Sequence, residues 1–141
     1  MKKLIFTISI LVSCGLISGC SQSEIDNASS IIENLSDFDL ETPGVSVVKN
    51  GSLNECSHTT LGEMANAYMS NPNWSDFIAD SGGTVVELSG GITYSGMEVT
   101  ALIQFDVYGT AFEASYLGFN GVDQNQFMLN TLLTKMCDAT Y

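Results

Sequence analysis

From Val99 to Tyr108 the side chains alternate without interruption. Val99, Ala101, Ile103, Phe105 and Val107 interleave with Thr100, Leu102, Gln104, Asp106 and Tyr108. A period of two places the first set on one face of a pleated strand and the second on the other. Ser95-Gly96 before the run and Gly109-Thr110 after it have the residues of tight hairpin turns. The stretch from Thr84 to Phe119 is therefore expected to be a three-stranded antiparallel meander. Its first strand carries Val85, Val86 and Leu88, and Gly90-Gly91 suggests a bulge or bend before Ile92 and Tyr94. Its third strand reads with Phe112, Ala114 and Tyr116 on one face and Leu117 and Phe119 on the other, and Asn120-Gly121 ends it.

Helical spacing flanks the meander on both sides. Thr60-Leu61-Gly62-Glu63 has the spacing of a capping box, and Leu61, Met64, Ala65, Tyr68 and Met69 follow as one apolar stripe. That helix is expected to stop by Asn71-Pro72. The segment from Pro72 to Phe77 reads as a loop pinned by Trp74 and Phe77. Asp123-x-x-Gln126 predicts the cap of a final helix, whose stripe is Met128, Leu129, Leu132, Leu133 and Met136. Near the start of the domain, Val45, Val47 and Val48 read as a short edge strand closed by Asn50-Gly51. The fold class expected is α+β: helix, three-stranded antiparallel meander and C-terminal helix, with both helices on one sheet face. The other face would present Leu102, Gln104, Asp106 and Tyr108, with Leu117 as a further apolar element. Apolar surface among acids makes this face a candidate partner site.

Met1-Lys2-Lys3, an apolar run from Leu4 to Ile17, and Ser18-Gly19-Cys20 are the parts of a secretory signal peptide. Ile17-Ser18-Gly19-Cys20 also resembles the lipobox of bacterial lipoproteins, which implies cleavage before Cys20 and lipidation of that cysteine. Ser21 rather than Asp after the cysteine resembles the outer-membrane sorting choice of Gram-negative envelopes. The expected organisation is a signal peptide over residues 1–19, an acidic tether over 20–43 and one domain over 44–141. The expected location is the outer membrane, lipid-anchored and facing the periplasm. Once Lys2 and Lys3 leave with the signal, Lys49 and Lys135 face all 16 acids, and the chain has no arginine. Phosphate binding needs cations, so nucleic acid is excluded as a partner. Membrane contact is expected through the lipid on Cys20 alone.

Of the four cysteines, Cys14 goes with the signal and Cys20 with the lipid. Cys56 and Cys137 remain, and in an oxidising compartment they are expected to form a disulfide. A redox-active pair would usually sit closer, as C-x-x-C. His58, the one histidine, lies beside Ser57, but a serine hydrolase needs a strained nucleophile turn and an oriented base, and G-x-S-x-G is missing. One histidine, with the cysteines committed to a bridge, argues against zinc. The Asp37–Glu41 cluster lacks the glycine and ligand spacing of a calcium loop. Met64, Met69, Met97, Met128 and Met136 fall mostly on helix stripes and read as packing rather than copper ligands. Gly82-Gly83 and Gly90-Gly91 lack the lysine of a phosphate-binding loop. No catalytic residue, cofactor or metal is assigned.

A longer pattern runs through the domain. Val48-Lys49-Asn50-Gly51, Cys56, Gly62-Glu63-Met64, Tyr68-Met69, Pro72 with Trp74, Ala101-Leu102-Ile103-Gln104-Phe105, Phe119-Asn120-Gly121, Gln124-Asn125 and Leu132-Leu133-Thr134-Lys135-Met136-Cys137 resemble a family of small uncharacterised bacterial periplasmic modules. These occur as lipoproteins or behind a membrane anchor. The resemblance spans Val45 to Tyr141 and includes both cysteines, which supports their pairing; it implies no activity. A weaker likeness is to small lipoproteins of outer-membrane assembly, which also place a helix before a three-strand meander. The function expected is a lipid-anchored, non-catalytic periplasmic interaction module that assembles or regulates an envelope complex through a protein partner. The alternative is an acidic inhibitor of a basic secreted enzyme such as a lysozyme, its association accelerated by charge.

Overall fold

The computed structural model describes residues 41–141. The expected signal peptide, Cys20 and the expected tether up to residue 40 lie outside the described residues. The elements run α1 (Pro43–Lys49), α2 (Leu61–Tyr68), β1 (Ser70–Ile78), β2 (Thr84–Tyr94), β3 (Met97–Tyr108), β4 (Ala111–Phe119), β5 (Val122–Asp123) and α3 (Gln126–Asp138). The fold is α+β, with one antiparallel sheet in the order β1-β2-β3-β4-β5. No helix among the described residues is long and apolar enough to cross a membrane.

The meander forms where the alternation places it, with a further strand on each side. Two-residue turns close its hairpins. Ser95 and Gly96 both have positive φ, the signature of a type I′ turn, and Gly109 supplies the positive φ of the second. The segment that reads as a loop around Trp74 is strand β1. Its pairing with β2 from Asn73 to Ile78 stabilises an extended backbone, while Asn71, with a φ of 49°, forms the irregularity between the paired Ser70 and Asn73. Pro72 is tolerated because β1 is an edge strand, and its register shifts between Ser70 and Asn73. The irregularity expected at Gly90-Gly91 thus lies in β1, while β2 pairs with β3 in continuous register through both glycines.

Among the described residues three helices pack where two were expected. The valines near the domain start belong to α1, not to an edge strand. Thr42 caps it by accepting from Val45 N, and Pro43 occupies the first turn, where its fixed φ and missing N–H suit a helix. Val45 and Val48, one turn apart, are the pair that goes into the core. Thr42 also donates to Asp76 Oδ2 at 2.6 Å, and Lys49 pairs with Glu41, so the folded chain begins before Gly44. The capping box of α2 forms as its spacing predicts, with Thr60 accepting from Glu63 N while Glu63 accepts from Thr60 N. The cap of α3 is Asn125, which accepts from Met128 N at 2.9 Å; it replaces the expected Asp123. Asp123 instead lies in β5 and pairs with Gly118.

All three helices contribute to one buried cluster on a single face of the sheet. Val86, Leu88 and Ile92 of β2 and Ala101, Ile103 and Phe105 of β3 supply its sheet side. Phe105 is fully buried, edge-on to Phe112 at 6.0 Å and within 6.5 Å of the Trp74 ring. On β4 the expected division of faces changes. Gln104 pairs with Tyr116 and Phe105 with Ala114, so Ser115 is an extra residue in a bulge. The bulge puts Phe112, Ala114, Leu117 and Phe119 on the core face and Tyr116 on the opposite one. Leu117 is thereby core, 1% exposed, rather than part of the open face.

Candidate functional site

The first candidate is the sheet face away from the helices. Directly paired residues share a face, so the register gives its composition. Val85, Asp106 and Glu113 lie in one row, Glu87, Gln104 and Tyr116 in the next, then Ser89, Leu102 and Gly118. Phe77, opposite Val85, extends the first row onto β1. The sequence-predicted Leu102, Gln104, Asp106 and Tyr108 are thus on one face of β3. The first three are half-buried by their neighbours, and Tyr108 at the hairpin end is 63% exposed.

Among the described residues this face is acidic and carries no cation. Glu87, Glu98, Asp106, Glu113 and Asp123 all fall on it, while Lys49 and Lys135 are on helices α1 and α3. Two contacts order its polar groups. Gln104 Nε2 donates to Glu87 Oε1 at 3.0 Å, and the Tyr116 hydroxyl donates to Asp123 Oδ1 at 2.6 Å. The hydrogen bond to the Asp123 carboxylate raises the Tyr116 pKa above the ordinary tyrosine value. The acids are dispersed, with no buried base or nucleophile among them.

The second candidate is the junction of α2's approach with the end of α3. Cys56 and Cys137 form a disulfide there, their Cα atoms 6.0 Å apart. Cys56 is placed by a turn in which its N–H donates to Leu53 O at 2.9 Å. Both cysteines are buried. His58 lies above them. Its Nδ1 is 3.8 Å from Cys56 Sγ, its Nε2 is 2.8 Å from Thr140 Oγ1, and its ring stacks on Tyr141 at 4.1 Å. Thr140 donates its one hydroxyl proton to Cys137 O at 2.7 Å. With that proton on Cys137 O, Thr140 Oγ1 is an acceptor for Nε2 of His58, and Nδ1 is the ring nitrogen that faces Cys56 Sγ. His58 is engaged with Thr140.

Beside the bridge, a groove of about 740 Å³ runs between the loop after α1, the start of β4 and α3. Leu53, Phe112 and Leu133 line it together with Glu55, Glu113 and Asp138. The sequence does not reveal this groove or the grouping of His58 with the bridge. The one local signal is a histidine two positions after a cysteine. The methionines behave as packing residues where the stripes put them. Met64, Met69 and Met136 are buried, while Met97 is exposed at a hairpin.

No family model, curated protein or solved structure matches this chain.

Proposed function

We propose that this protein is a lipid-anchored, non-catalytic interaction module of the bacterial periplasm, held at the outer membrane through Cys20, and that it assembles or regulates an envelope complex. The observation that carries the reading is the sheet face left uncovered among the described residues. The three helices of the described residues pack on the other side, and this one combines, among those residues, acids without a cation and the apolar surface of Phe77, Leu102 and Tyr108. A folded partner with a cationic, partly apolar surface is its chemical complement: the charges steer encounter and the apolar groups supply contact area. The likeness to small periplasmic lipoprotein modules agrees with this reading. So does the outer-membrane assembly analogy, at the level of a helix preceding a meander.

The same face supports a second reading, an inhibitor of a basic secreted enzyme such as a lysozyme. Crosslinking in intact cells followed by recovery of this protein from membranes separates the two. An assembly role predicts envelope proteins among the crosslinked partners. An inhibitor predicts a soluble basic enzyme whose binding weakens steeply with salt. Recovery of neither class overturns the proposal.

A further inference from the structure

We propose that Cys56, His58 and Cys137 form, when the bridge is reduced, a three-ligand site for zinc or a similar thiophilic divalent cation, with water in the fourth position. The two sulfurs and a histidine nitrogen lie within 4.8 Å of one another. Tetrahedral zinc, with Zn–S about 2.3 Å and Zn–N about 2.0–2.1 Å, sets sulfur and nitrogen ligands about 3.6 Å apart. Cys56 Sγ and His58 Nδ1 are already 3.8 Å apart. The Cα atoms at 6.0 Å leave the Cys137 sulfur free to swing, by side-chain torsion, from bonding contact to ligand spacing.

The surroundings are those of a metal-ligating histidine. A ligating imidazole normally donates its other N–H to a fixed acceptor, which sets the tautomer and aims the lone pair. Thr140 Oγ1 lies 2.8 Å from Nε2 and donates its own proton to Cys137 O at 2.7 Å, which leaves it placed as the acceptor such a histidine needs. One hydroxyl thus ties the histidine to the chain segment of the second cysteine. The sulfurs are buried while His58 is exposed, so a cation reaches them past the imidazole. Glu55 and Asp138, chain neighbours of the two cysteines, line the adjoining groove and make the approach negative.

The bridge and the ion are then alternative clasps between the loop before α2 and the end of α3. A dithiol donor converts the bridge to two thiols while its own thiols become a disulfide. The cation then takes two thiolates and the neutral imidazole, and two protons leave. The ion preserves the loop closure that reduction would otherwise release.

The test is zinc titration of the full chain, reduced with a phosphine that carries no competing thiol, against a chromophoric chelator. One zinc per reduced chain is expected, and none at this site in the oxidised protein. Cobalt in place of zinc should give the visible bands of a four-coordinate ion and thiolate charge transfer in the near ultraviolet. His58→Ala should lower affinity at least about 10-fold. Thr140→Val, which keeps the shape but removes the acceptor, should lower it about 10- to 100-fold. Each variant is first checked for native circular dichroism in its oxidised form. If reduction unfolds the chain, zinc must restore the native spectrum. Failure of the reduced chain to take up one zinc, uptake without native structure, or affinity unchanged in both variants overturns the proposal.

Discussion

Gln104 on β3 donates its side-chain amide to Glu87 on the directly paired position of β2, at 3.0 Å. The contact lies at the middle of the open sheet face and uses one carboxylate oxygen, leaving the rest of the acid's acceptor capacity to solvent or to a partner. Polar ordering at the centre, with Tyr108 and Phe77 toward one end, gives this face a geometry distinct from its interior counterpart. There Phe105 and Ile103 are fully buried.

Tyr108→Lys tests that face. Tyr108 is 63% exposed, so its replacement should change stability by no more than about 0.5 kcal/mol while weakening recovery of a cationic partner by like-charge repulsion. Thermal unfolding and crosslinked recovery are measured on the same preparation. A large fall in melting temperature would show that Tyr108 is a packing residue, and unchanged recovery would remove the face from the interaction.

The adjacent glycines of β2 should respond in opposite ways. A Cβ at Gly90 would lie 3.1 Å from Met69 Cβ and 3.2 Å from Ser70 O, where α2 passes into β1 over the core face. At Gly91 the nearest atom, Ser70 Cβ, is an ordinary 3.4 Å away. Gly90→Ala is expected to destabilise by about 1 kcal/mol or more through overpacking. Gly91→Ala should be neutral or stabilising, because it reduces the freedom of the unfolded chain. Denaturant midpoints of the two variants check this; equal shifts would mean that close approach is not what places glycine at 90.

These cases mark the line between what the sequence displays and what it hides. The faces of β3 are legible because alternation is local, and the capping box is legible because Thr60 and Glu63 are one turn apart. The disulfide is legible by elimination among four cysteines. The helix α1 is hidden because Val45, Val47 and Val48 satisfy a strand pattern, and its decisive signals, Thr42 and Pro43, read as the end of a tether. Strand β1 is made of turn-forming residues and becomes extended by pairing with β2. The bulge at Ser115 exists only in relation to β3, so the side on which Leu117 falls cannot be counted from β4 alone. His58 was the least legible, since its partner Thr140 is 82 positions away.

The disulfide should act as a clasp on the unfolded state. It spans 81 positions, and the chain-entropy argument gives a loop of that size on the order of 4 kcal/mol, less any residual structure in the reduced chain. Thiol counting on unfolded, unreduced protein should find none after lipidation of Cys20. Reduction in the presence of a metal chelator should lower the denaturant midpoint. Two free thiols in the domain of protein purified without reductant would contradict the bridge.

The anchor is tested separately from the domain. Cys20→Ser should abolish labelling by a fatty-acid probe and release the protein from membranes, with no change in the melting of the domain. Persistent labelling would show that the lipid is carried elsewhere or that the address is different.

The last prediction concerns acid. Glu63 accepts from the Thr60 N–H at 3.0 Å, from Thr59 Oγ1 at 2.9 Å and from Thr60 Oγ1 at 3.3 Å. These bonds, the Thr60 N–H first, hold its carboxyl below the ordinary glutamate value. In the unfolded chain the carboxyl takes up a proton at a higher pH than in the native one. The stabilisation is therefore complete above the unfolded value and is lost as pH falls through the native value. Glu63→Gln keeps the side-chain acceptor of the capping box but removes the titration. Its stability should accordingly fall less steeply than the parent's when pH is lowered through the carboxylate range. Thr60→Ala should cost about 1 kcal/mol at neutral pH through loss of the cap. Denaturant unfolding at a series of pH values checks both; parallel pH profiles for the parent and Glu63→Gln would show that the cap does not shift this carboxyl.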